Sequence, residues 1–145
     1  SIPRPDGLIR AHEDFLAGRI SEAELDAQAD VAVLDTIREF EATGSPVISD
    51  GEQHKFSGFY TYPVDGLPNL LPDGFRLRFT AHARVLPRLA AGPFRYRRAA
   101  DGFLARAQRW TRTPVKQAVI APSAVSLLYP AEPLPEFAAR SERTL

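Results

Sequence analysis

The segment that most constrains the fold runs from Ser21 to Glu52. Ser21-Glu22-Ala23-Glu24 is a capping box, in which the Ser21 hydroxyl and the Glu24 carboxylate each satisfy an amide left open at a helix start. Leu25, Ala29, Ala32, Val33, Ile37 and Phe40 follow at helical spacing, and Gly44 supplies the stop. The chain then enters Pro46-Val47-Ile48-Ser49-Asp50-Gly51-Glu52 without a spacer. Val47 and Ile48 read as a buried strand and Gly51 as a turn, which leaves Asp50 and Glu52 as two carboxylates at the strand's C-terminal mouth. A helix feeding straight into such a strand is half of a parallel α/β unit, and ligands in parallel α/β folds sit at that mouth. The plainer alternative for Asp-Gly-Glu is a solvated turn.

Other stretches fit around this unit. Pro3 and Pro5 make an extended start. Asp6 is expected to cap a helix to about Gly18, with Leu8, Ile9, Phe15 and Leu16 on one face together with His12, a packed residue rather than a ligand. Beyond Glu52, aromatic residues Phe56, Phe59, Tyr60 and Tyr62 precede a series of turn formers. From Leu77 to Val85, apolar and polar residues then alternate with a period of two, which predicts a half-exposed antiparallel strand. Residues 56–90 thus read as a β-hairpin excursion, with His82 and the arginines on its solvated face. A further helix starts at Ala99 or Asp101 and buries Ala100, Phe103, Leu104, Ala107 and Trp110. Val115 to Ala121 is the next buried strand, and the residues from 131 to 145 form an irregular tail.

Composition excludes several classes. With no cysteine among 145 residues, there is neither a disulfide framework nor a thiolate metal site in the chain. No apolar run approaches the roughly 18 residues that cross a bilayer, so a soluble, cytoplasmic protein without membrane partners is expected. The first half is acidic, whereas Arg84 to Lys116 holds Asp101 as its only acid. A formal net charge of zero gives no long-range attraction to phosphate, so no nucleic-acid partner is expected. Pairing of the two halves with each other, or an anionic ligand, explains the asymmetry. Phosphate loop, His-x-x-x-His and nucleophile elbow are all missing, and three separated histidines assemble no zinc site.

Several motifs in order resemble one family. They are Ser1-Ile2-Pro3-Arg4-Pro5, Gly18-Arg19-Ile20-Ser21, Asp50-Gly51-Glu52-Gln53-His54, Leu86-Pro87-Arg88-Leu89 with Gly92-Pro93-Phe94, and Pro114 to Pro122. Over residues 1 to about 130 the chain is similar to the cobalamin-independent methionine synthases and their shorter relatives, which are TIM barrels. The resemblance implies a partial (β/α)8 barrel, about the first three strands and their helices, as a single domain over 1–145 with the inserted hairpin. It implies transfer of a methyl group from a methyltetrahydrofolate-type donor to a thiol such as homocysteine, activated by zinc.

By the same resemblance the substrate-binding residues are Ser1, through its backbone, Asp50, and Glu52, whose carboxylate meets the substrate's ammonium. Asp50 stands where the synthases carry histidine, as in many short relatives. Ser123 and Tyr129 fall in the donor-side region, where the family's tryptophan is not in place. The family's zinc ligands, a His-x-Cys pair, a glutamate and a second cysteine, come from later strands, so no catalytic or metal residue is assigned here. The chain is therefore expected to be inactive alone. It is expected to be either a fragment or a short protein that completes its sheet by oligomerising, and its start at Ser1 inside a motif fits initiator removal as well as loss of upstream sequence. The alternative is a noncatalytic relative or binding module of the same fold, or a barrel that alkylates a different thiol such as coenzyme M.

Overall fold

The computed structural model describes residues 2–56, 58–78, 83–90 and 95–129. Among them the chain is mixed α/β, with four α-helices, one 3-10 turn and three two-stranded sheets, none of which closes into a barrel. It divides into two compact units, Ser1–Phe56 with Ala99–Ala118, and Ser57–Arg98 with Val119–Leu145.

The first unit begins with α1 (Asp6–Leu16), whose opening amides at Leu8 and Ile9 both donate to the Pro5 carbonyl. Pro5 rather than Asp6 is the cap residue. Asp6 lies in the first turn, without a capping bond, where its charge still favours the helix dipole. Leu8, Ala11 and the half-buried Phe15 pack with Leu25, Ala29 and Ala32 of α2. Ile9 and Leu16, expected on that face, are instead 45% and 71% exposed. Each follows an inward residue by one position, and 100° of rotation carries it off the contact.

α2 (Glu22–Ala42) starts at the expected capping box, with Glu24 N donating to Ser21 Oγ at 3.2 Å and Ser21 N to Glu24 Oε2 at 2.8 Å. It ends before Gly44, held at φ 73°. The chain then forms β1 (Ile48–Ser49), parallel to β6 (Val115–Lys116), with Ile48 opposite Val115 and Ser49 opposite Lys116. α3 (Ala100–Ala107) precedes β6, so both strands of the parallel pair are entered from a helix. Val33, Ile37, Ile48 and Ala107 make the core here, flanked by Phe40, Trp110 and Val115. Val47, expected inside, is 43% exposed; only Ile48 of that pair is buried. The strand expected over 115–121 stops at Lys116; just beyond it the Ala118 carbonyl accepts from Lys55 Nζ rather than from a ladder amide.

The second unit contains β2 (Leu70–Leu71) antiparallel to β5 (Arg88–Leu89), and β3 (Arg76–Arg78) antiparallel to β4 (Ala83–Val85). Its core is Val64, Leu86, Leu89, Leu127 and Leu128, the last two from the turn Ser126–Leu128 that follows α4 (Pro122–Val125). The period-two stretch is thus two short strands rather than one. Leu77 faces Arg84 across the pair, so the inward parity switches: Arg84 is the half-buried residue of β4 and Val85 is 43% exposed. His82, Phe79 and Ala81 lie outside the described residues.

Candidate functional site

The expected carboxylates lie on the turn that leaves β1. Gly51 and Glu52 are both left-handed, at φ 67° and 62°, and Glu52 is the one non-glycine residue with positive φ among those described. Glycine is favoured at 51, where an added Cβ would be strained by the positive φ and would stand 3.0 Å from Thr36 Cγ2. The turn is pinned from three directions. Ile2 N donates to Gly51 O at 3.3 Å, and Lys55 N donates to Glu52 O at 3.0 Å. The Arg4 guanidinium donates through Nη2 to the carbonyls of Glu52 and Lys55. Burial lowers the Arg4 pKa, with the Glu52 charge opposing.

The side chains of this turn mostly point inward. Asp50 is 1% exposed; its Oδ1 accepts from Glu52 N at 3.0 Å and its Oδ2 from Gln117 Nε2 at 2.8 Å. Gln53 is equally buried, with Nε2 3.4 Å from Thr36 Oγ1 and Oε1 without a hydrogen-bond partner. Lys55 is also closed off, and its ammonium donates to Gln117 Oε1 at 3.0 Å and Ala118 O at 2.6 Å. Burial depresses the Lys55 pKa, while Glu52 and Asp50 pull it back. Glu52 alone among these carboxylates and cations of the turn remains half-exposed.

His54 faces α2 and α3. Its Nε2 lies 2.9 Å from Asp30 Oδ1, its Nδ1 3.6 Å from Asp26 Oδ1, and its ring stacks on Phe103 at 5.6 Å. Arg106 reaches the same two acids, Nη1 to Asp26 at 3.2 Å and Nε to Asp30 at 2.7 Å. The acidic helix and the basic stretch thus pair within one unit. His12 stacks on Phe56 at 5.6 Å, the packing role expected of it.

Of the residues singled out in the sequence, Asp50 and Glu52 share this turn. Ser1 lies outside the described residues, while Ser123, in α4, and Tyr129, packed on the second unit's core, belong to the other unit. Arg4, Lys55 and Gln117 were missed as site residues. Arg4 and Gln117 lie within motifs that carry the family resemblance, which was the signal available for them. The zinc implied by that resemblance does not fit the residues present. The sequence has no cysteine, His54 is engaged by Asp30, His12 by Phe56, and no described group of three or more His, Asp or Glu is arranged for a metal. No helix among the described residues is long and apolar enough to cross a membrane. No protein-family model matches the chain, and no curated protein matches it significantly.

Proposed function

We propose that the first unit is the amino-acid-binding part of a methionine-synthase-like methyltransferase. In this reading Glu52 accepts from the ammonium of a small thiol amino acid such as homocysteine, and the methyl group comes from a methyltetrahydrofolate-type donor. The parallel β1–β6 pair, each strand preceded by a helix, is compatible with the opening of a (β/α)8 barrel. Any metal chemistry is then carried by residues other than those of this chain, and this chain alone does not turn over.

One observation carries the reading. Glu52 is held in a left-handed conformation that costs about 1–3 kcal/mol for a residue with a Cβ. Bonds to both its amide and its carbonyl keep it there. Such strain at a strand mouth, on a half-exposed acid with buried neighbours, has a use if the carboxylate must point at a ligand cation. Isothermal titration of L-homocysteine into the wild-type chain and Glu52→Gln tests it. Glu52→Gln is expected to bind about tenfold more weakly or worse, because a charge-assisted bond becomes a neutral one. Equal affinity would remove Glu52 from the site.

The cysteine-free donor set favours a second reading, a binding module without chemistry. Both readings have this chain inactive alone, and they part on the ligand: equal affinity for L-homocysteine and for methionine, whose sulfur is already methylated, favours the module.

A further inference from the structure

Asp50 is badly placed to meet a ligand and well placed to hold its neighbour. Both of its oxygens are occupied inside the protein, by Glu52 N and by Gln117 Nε2. Gln117 Oε1 in turn accepts from Lys55 Nζ. The direction of every bond in this chain is fixed. An ammonium only donates and a carboxylate only accepts, so the Gln117 amide has a single orientation that satisfies both. The bond from Asp50 to the amide two residues on is an Asx turn, and a bond to the second oxygen anchors the carboxylate at its other end. Gln117 is that anchor, and Lys55 supplies the positive charge that a carboxylate closed off from water needs nearby.

We propose that Lys55, Gln117 and Asp50 are positioning residues: their directed hydrogen-bond relay sets the left-handed backbone of Glu52 and so aims its carboxylate, and Asp50 does not itself touch the ligand. The ligand half of this inference rests on Glu52 as the ammonium acceptor; the backbone half stands without it.

Exchanging the charge between positions 50 and 117 tests both halves. In the double variant Asp50→Asn with Gln117→Glu, Glu at 117 accepts from Lys55 and from the new amide at 50, whose oxygen still accepts from Glu52 N. Every hydrogen bond and the total charge are kept. Gln117→Glu alone sets two carboxylates against each other, and Asp50→Asn alone sets an amide nitrogen against a donor. The readouts are hydrogen exchange at the Glu52 amide, by NMR, and the Kd for L-homocysteine.

Each single variant is expected to speed Glu52 exchange and weaken binding by about tenfold or more, and the double to recover both to within about threefold of wild type. Unchanged Glu52 exchange in the single variants overturns the relay. A double variant that recovers exchange but not homocysteine binding overturns the claim about Asp50. If the wild type takes up no homocysteine, the ammonium reading fails while exchange still decides the relay. Should the charge variants not fold, Gln117→Met removes the anchor without adding charge, and unchanged Glu52 exchange in that variant overturns the relay as well.

Discussion

His54 and Asp30 meet at 2.9 Å, ring nitrogen to carboxylate oxygen, although 24 residues separate them in the chain. The histidine is 3% exposed. Through this contact the strand-end turn is tied to the middle of α2, and Arg106 ties α3 to the same carboxylate.

Stability should fall as the solution is acidified through the histidine range. Burial lowers the His54 pKa below its ordinary 6.5; the bond to Asp30 opposes this, and the Arg106 charge adds to it. The folded state therefore binds fewer protons than the unfolded one in the window below pH 6.5. The stability due to neutral His54 is fully present above 6.5 and is lost as pH falls toward the folded pKa. Urea unfolding at several pH values between 5 and 8 is expected to show a steeper decline for wild type than for His54→Gln. Parallel curves would assign the decline to other groups.

Replacing Arg106 should weaken the first unit by about 1–2 kcal/mol, more than an isolated surface pair is worth, because its partners are about three-quarters buried. Arg106→Lys should recover little of this. A point-like ammonium cannot span Asp26 and Asp30 as the planar guanidinium does. Denaturant midpoints for Arg106→Gln and Arg106→Lys check both statements.

Gly51→Ala should cost about 1–3 kcal/mol. A side chain at φ 67° is disfavoured in itself, and the new Cβ meets Thr36 Cγ2 at 3.0 Å on a rigid helix face. Adding Thr36→Ser removes that methyl and should recover only the steric part. Thermal unfolding of the single and double variants separates the two contributions.

At the start of α2, Ser21→Ala should cost about 1 kcal/mol by leaving the Glu24 amide without its capping oxygen. Amide exchange should rise in the first turn of α2 and stay unchanged near Ile37.

Local rules were enough where the deciding contacts are local. The capping box, the apolar spacing of α2 and the stop at Gly44 all involve neighbours within a turn or two, and α2 has the limits they predict. The same holds for the strand at Ile48 and the helix around Phe103. The rules failed where a partner chooses. Which side of α1 faces inward is set by Leu25 and Ala29 of α2, and Ile9 and Leu16 look equally suitable until that partner is in place. In β4 the register that sets Arg84 opposite Leu77 decides that Arg84 turns inward.

Lys55 marks the limit most clearly. A lone lysine in a sequence reads as solvated, because nothing beside it can satisfy a buried ammonium. Its acceptors, Gln117 and Ala118, lie 62 and 63 residues away. The chain by itself determined α1, α2 and α3, the strand before the acidic turn and the turn at Gly51, since these follow from backbone sterics and short-range hydrogen bonds, whereas α4 and the turn after it were not legible. Only tertiary structure decided that Asp50 and Lys55 are interior and that Glu52 alone of the three stays half-buried. Burying a charge depends on partners that folding, not sequence proximity, brings within bonding distance.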